Sequence, residues 1–201
     1  MNPIPINVAV EDELSEMALR RIVKDAGPHF HIGTCYGRGG FGYLRRTISG
    51  WNRAAKSVPF LVLTDLDRKP CPSALIEDWL PVPKHPNLLF RIAVRTIEAW
   101  LLADKDNLAA YLRIARKWIP DAPESLPDPK GALIEAARRS SSRDVRRSLI
   151  PRPGSTAKQG PDYNGCLTRF VVHAWNIEAA QPNAPSLARA VARLRDFSPQ
   201  W

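Results

Sequence analysis

Phe60-Leu61-Val62-Leu63-Thr64-Asp65-Leu66-Asp67 is a short apolar run that ends on an Asp-x-Asp. A β-rich run of this length reads as a strand buried on both faces, the kind that parallel sheets contain. Ile6-Asn7-Val8-Ala9-Val10 is a second such segment, and Glu11 stands where it stops. In an open α/β sheet, ligands and chemistry gather at the carboxyl ends of the strands. Alternation along an extended segment puts Asp65 and Asp67 on one side. Three carboxylates brought to one edge repel one another unless a divalent cation sits between them. Glu11, Asp65 and Asp67 are therefore the expected ligands of a Mg2+ or Mn2+ ion, and such sites act mostly on phosphate groups.

Working outward, apolar residues recur at helical spacing at Leu14, Met17, Ala18 and Ile22, which predicts a helix over Glu13 to Lys24 capped by Asp12. A weaker strand over Phe30 to Cys35, a helix over Tyr43 to Lys56 and a helix over Ser73 to Leu80 follow in order. Leu88 to Val94 reads as a further strand, and Thr96 to Ala103 as a short helix. This β-α-β-α-β-α-β-α order implies an α/β fold, a mostly parallel sheet with helices on both faces. From Asp106 the chain reads as helical and basic, with helices over Asp106 to Trp118, Gly131 to Leu149, Cys166 to Trp175 and Ser186 to Phe197. Two parts are expected: an α/β core over 1–105, and a helical C-terminal subdomain over 106–201 that packs on it.

The charge is uneven. The formal net charge is +9, and excess positive charge attracts anionic partners, nucleic acid above all. Arg138, Arg139, Arg143, Arg146, Arg147, Arg152 and Lys158 lie between Lys130 and Arg169, against only Glu135, Asp144 and Asp162. An acidic pocket in a basic surround suits a metal site that faces a phosphate backbone. Arg38, Arg68, Arg146, Arg147 and Lys158 are the cations expected to meet phosphates. No run approaches the roughly 20 apolar residues that cross a bilayer, so no membrane association is expected. The three cysteines are scattered without a Cys-x-x-Cys, and the N-terminus lacks the marks of a secretion signal. Both features point to a cytoplasmic protein.

Each acidic residue also has a plain structural role open to it. Glu11 suits the N-terminus of the helix that follows, and Asp65 and Asp67 suit a turn. Glu16 precedes Arg20 by one helical turn, which makes an ion pair its default; the alternative is a second-site ligand. Glu98 stands alone among Ile97, Ala99, Trp100, Leu101 and Leu102, so it is either paired or functional. Gly37-Arg38-Gly39-Gly40-Phe41-Gly42 satisfies G-x-G-x-x-G, the spacing of a dinucleotide-binding turn, but the segment before it makes a poor buried strand. The histidines show no zinc-ligand spacing.

Glu11 at one strand end, followed by a helix and then by Asp65-x-Asp67 at another, resembles the Toprim domain of topoisomerases, primases and OLD-family nucleases. More narrowly, several segments are similar to a family of small bacterial Toprim-like proteins. They are Val10-Glu11-Asp12-Glu13-Leu14-Ser15-Glu16, Leu63-Thr64-Asp65-Leu66-Asp67, the stretch from Phe90 to Asp104, and Gly160-Pro161-Asp162-Tyr163-Asn164. The resemblance implies a Toprim-like sheet, magnesium held by Glu11, Asp65 and Asp67, and a part for Glu11 in proton transfer. It further implies nuclease activity, in phage defence alongside an ATPase partner. Glu16 and Glu98 would then be candidate catalytic residues at a second metal position. The chain departs from the Toprim pattern in carrying Asp12 where a glycine follows the Glu. The contrasting expectation is a non-catalytic module that binds nucleic acid or an ATPase and keeps a vestigial acidic cluster, neutralised by arginines such as Arg68 or Arg95.

Overall fold

The computed structural model describes residues 3–37 and 39–201. It divides into two compact units, one formed by residues 1–94 together with 186–201 and the other by residues 95–185.

The first unit is an α/β layer structure. Its strands are β1 (Ile4–Ala9), β2 (Phe30–Tyr36), β3 (Phe60–Asp65) and β4 (Leu88–Ala93). They form one sheet in the order β2-β1-β3-β4, and every pairing is parallel. β1 and β3 are central, which is why Val8 and Ala9 on one and Leu61 and Val62 on the other are buried. β2 is an edge strand, mostly exposed or half-buried, and its weak apolar pattern in the sequence has that cause. Three helices connect the strands: α1 (Glu13–Asp25), α2 (Gly40–Ala54) and α3 (Pro72–Trp79). The chain steps outward from β1 to β2, then crosses back over β1 to reach β3. Right-handed crossovers in opposite directions place their helices on opposite faces. Accordingly, Leu44, Ile48 and Trp51 of α2 and Leu75 and Trp79 of α3 share one core with Phe60, Val62 and Phe90. The α1 residues Leu14, Ala18, Leu19 and Ile22 are buried outside that cluster.

The second unit contains α4 (Ile97–Ala103), α5 (Lys105–Leu112), α6 (Pro129–Arg138), α7 (Arg143–Leu149), α8 (Tyr163–His173) and α9 (Ile177–Ala180). All seven residues of α4 are buried, and Trp100 and Trp175 are fully enclosed. Two helices expected to be long are broken. The one expected over Asp106 to Trp118 stops at Leu112, where Arg113 adopts a left-handed φ of 54° and its carbonyl accepts from Ser141 N at 3.3 Å. The one expected over Gly131 to Leu149 divides at Ser140-Ser141-Ser142, because serine hydroxyls compete for backbone groups. Ser142 Oγ accepts from Val145 N and so opens α7.

The closing helix α10 (Pro185–Arg195) returns to the first unit, where the sequence reading had placed it with the C-terminal part. Three contacts hold it there. Ser186 Oγ accepts from Val94 N at 3.2 Å, Gln200 and Asn87 exchange two hydrogen bonds of 2.8 Å, and Phe197 stacks on Phe30 with centroids 5.6 Å apart. Phe197→Ala is therefore expected to lower unfolding free energy by about 3–5 kcal/mol. Trp201→Ala, at a ring that is 76% exposed, is expected to stay within about 0.5 kcal/mol in the same urea titration.

Candidate active site at the strand ends

The register of β1 against β3 builds the site. Asn7 pairs with Phe60, Val8 with Leu61 and Ala9 with Val62. Two residues further along, Glu11 comes level with Thr64 and Asp65. There the Glu11 carboxylate accepts from the Thr64 hydroxyl and from the Asp65 backbone N–H, the latter at 2.9 Å. Both bonds go to the same oxygen, Oε1. The place matters, because β1 and β3 flank the point where the strand order reverses. Open α/β sheets offer their ligand crevice at such a switch point.

Burial raises the Glu11 carboxyl above its ordinary value. The hydrogen bonds from Thr64 and Asp65 oppose that rise, and the charges of Asp67 and Asp12 add to it. Asp67 thus lies close enough to Glu11 to repel it. Asp12 turns back to cap α1, its Oδ1 accepting from Ser15 N at 2.8 Å, which gives this residue a use that a glycine would lack.

Asp67 does not extend the strand. β3 ends at Asp65, and Asp67 adopts φ 50° in a turn closed by a 3.1 Å bond from Lys69 N to Leu66 O. The alternation that would place both aspartates on one side therefore ends one residue early. Asp is among the few residues that enter left-handed conformations readily. Asp67 lines a cleft of about 380 Å³ with Phe41, Arg68 and Lys69. Trp79 supports the Phe41 wall edge-on, at a centroid distance of 4.8 Å, and itself stacks on Phe90. Lys69 and Arg45 both bond to Asp78, at 2.9 and 2.8 Å, and so brace the turn against α3 and α2.

The glycine stretch meets the same edge. Gly39 opens α2 without a side-chain cap, and Gly40 N donates to the Glu11 carbonyl at 3.2 Å. Gly40 has φ 66°, which a larger residue adopts only with strain. A Cβ on Gly37 would stand 3.2 Å from Val10 Cγ2 and 3.8 Å from Glu16 Oε2, so the glycine allows a close approach of the two segments. Arg38 lies outside the described residues.

The other expected residues are placed as follows. Glu16 takes up its default partner, with Arg20 Nε donating to Oε1 at 2.9 Å. Arg68 is exposed at the cleft. Glu98, Arg146, Arg147 and Lys158 belong to the second unit. There Glu98 is 2% exposed; Tyr163 Oη donates to its Oε1 at 3.0 Å and Lys130 Nζ lies 3.3 Å from the same oxygen. Arg146 donates to the Ser140 carbonyl and so pins the corner between α6 and α7, while Arg147 pairs with Asp144 at 3.2 Å. Lys158 is exposed. Sequence reasoning passed over Thr64, Lys130 and Tyr163 as partners of the acids. For Thr64 a signal existed, since a hydroxyl just before a strand-end aspartate falls level with Glu11 once the two strands pair in parallel.

Glu11, Asp65 and Asp67 are all hard oxygen donors, the chemistry of Mg2+ and Mn2+. Among the described residues, no group of three or more His, Cys, Asp or Glu side chains is assembled closely enough to hold a metal ion. The donor chemistry suits a hard divalent cation, while the described geometry does not assemble the three carboxylates around one point. No helix among the described residues is long and apolar enough to cross a membrane. No family model, no curated protein and no solved structure matches the chain.

Burial sets the sign of the stability effect at Glu11. A carboxyl raised in the folded state opposes folding once ionised, and that penalty is absent at pH values below the unfolded-state carboxylate range. In metal-free buffer, Glu11→Gln is expected to melt at a higher temperature than the parent protein at neutral pH. The two are expected to converge by about pH 3, as followed by thermal melts across pH.

Proposed function

We propose that this chain is a metal-dependent phosphodiesterase that hydrolyses nucleic acid at the carboxyl ends of β1 and β3. The observation that carries the reading is the junction of Glu11 with Thr64 and Asp65 at the switch point of the sheet. Glu11, Asp65 and Asp67 would hold Mg2+ or Mn2+, which supplies charge neutralisation at the phosphate and a water of lowered pKa.

The protein's own groups divide the rest of the work. Thr64 and the Asp65 N–H fix the Glu11 carboxylate by one oxygen, so its orientation does not depend on the ligand. Burial raises the Glu11 carboxyl, the direction that a carboxylate acting as a general acid or base requires. The uncapped N-terminus of α2 and Arg68 beside the cleft offer positive potential to a phosphate. In the second unit, taken by itself, Arg147 and Lys158 are exposed and Arg146 is half-buried. An ATPase partner in phage defence is a further part of this proposal that rests on the resemblance alone.

A second reading is favoured by Glu16 and Glu98, which Arg20 and the Lys130–Tyr163 pair engage. Under it the chain is a binding module for nucleic acid or an ATPase. Plasmid, single-stranded DNA and RNA incubated with Mn2+ or Mg2+ separate the two. The nuclease reading expects cleavage that Asp65→Ala/Asp67→Ala abolishes while its melting curve stays cooperative. It also expects Thr64→Val to slow cleavage by about 10–100-fold, because the orienting bond is lost. Mn2+ should raise the melting temperature of the parent protein and not of the double variant. Equal cleavage by both proteins overturns the nuclease reading, and binding without cleavage moves the conclusion to the binding module.

A further inference from the structure

Four cations of the first unit lie together with no carboxylate among them. Arg91 stands on the edge strand β4, Lys84 in the loop that leads into it, and Arg189 and Arg193 one turn apart on α10. The closing segment runs antiparallel to β4, because Ser186 is bonded to Val94 at one end and Gln200 to Asn87 at the other. That arrangement sets Arg189 and Arg193 alongside Arg91, with Lys84 at the end near Leu88, whose carbonyl accepts from Lys84 Nζ at 3.0 Å. Arg91 Nε is spent on the Phe90 carbonyl at 2.8 Å, and the Arg193 guanidinium lies 5.5 Å from the Phe197 ring centroid. Lys84 and Arg189 are exposed, Arg91 and Arg193 half-buried. Among the described residues, none of the four is in an ion pair.

This cluster is electrostatically unfavourable by itself. Burial holds the Arg91 guanidinium below its ordinary pKa, and the charges of Arg193 and Arg189 lower it further. The Lys84 amine, held against the strand at the Leu88 carbonyl although the residue as a whole is exposed, is lowered by desolvation and then by Arg91 and Arg193. Like charges gathered without a counter-charge favour an anionic ligand. Lys84 Nζ and Arg91 Nε are held at the carbonyls of Leu88 and Phe90, two strand positions or about 7 Å apart, and Arg189 and Arg193 are one helical turn apart, so the cations are spread more widely than a single phosphate. A linear polyanion contacts all four cations, whereas a small anion contacts one or two. Positively charged grooves that track the backbone are how proteins hold single strands without reading their sequence.

We propose that Lys84, Arg91, Arg189 and Arg193 form a track for the phosphates of a nucleic-acid strand along the β4 edge. The identity of the polyanion rests on the nucleic-acid reading above, but the track itself requires no catalysis.

The test is fluorescence anisotropy of a labelled single-stranded DNA oligonucleotide across a salt series in EDTA, where cleavage does not occur. Lys84→Gln/Arg189→Gln/Arg193→Gln is expected to flatten the log Kd against log salt slope by about 2, since each phosphate contact on a single strand contributes about 0.7. Arg91, being half-buried, stays intact so that the fold is preserved, and near-UV circular dichroism checks that it is. Lys84→Arg/Arg189→Lys/Arg193→Lys is expected to keep the parent slope. An unchanged slope in the glutamine variant overturns the proposal, as does an equal loss in the charge-conserving variant. Retention of inorganic pyrophosphate by the parent protein with no oligonucleotide binding also overturns it, in favour of a small-anion site. Because the assay is run in EDTA and reads binding alone, failure of the catalytic reading leaves this result standing.

Discussion

The pairing of β1 with β3 is the constraint on which the rest depends. These two strands are not consecutive in the chain, and the helix that joins β2 to β3 must cross over β1 to bring them together. Once paired in parallel, their ends fall level, and a glutamate from one is bonded to a threonine and an amide of the other. The same crossover reverses the strand order and so opens the crevice at that point. Acid and cleft thus share one cause. A slip of register by one residue would exchange the faces of every side chain on β1, turning Asn7 to the side where Ile6 and Val8 are now buried, and would take Glu11 away from its donors.

Much of this was legible in the sequence, because the signals were local. Apolar runs at Ile6 and Phe60 mark the central strands, and α1 shows its 3.6-residue period over Leu14, Ala18 and Ile22. What was not legible depended on distant contacts or on single backbone conformations. Asp67 turns left-handed, which alternation along a strand does not reveal. Arg113 does the same at the end of α5, where an uninterrupted helical period runs on in the sequence. The return of α10 is a tertiary choice, made by Phe30, Asn87 and Val94, residues about 100 or more positions away. Glu98 is the clearest case. Its neighbours announced that a lone carboxylate would be buried, but its partners, Lys130 and Tyr163, come from two other helices.

The charge of the protein resolves into two kinds of cation. Arg20, Lys69, Lys105, Lys130 and Arg169 are each matched to an acid and serve the fold. Lys105 is 9% exposed and bonded to Asp121, so its charge projects little field. Among the described residues Lys84, Arg91, Arg189 and Arg193 have no such match, and together with exposed cations such as Arg68 and Lys158 they contribute the field that solution would feel. A net charge of +9 therefore does not describe a uniformly basic surface. It is the remainder after internal pairing, and its location says more than its size.

Because α10 belongs to the first unit, residues 95–185 are an insertion between β4 and its packing helix, and its two junctions meet where Val94 is bonded to Ser186. During synthesis the first four strands leave the ribosome long before their last layer exists. The open flank of β4, with Arg91 and its neighbours, must wait for about 90 further residues before Ser186 to Phe197 can cover it. Through that interval the nascent sheet keeps an uncovered flank, the kind of surface that makes incomplete chains prone to aggregate, while the inserted unit is contiguous in the chain.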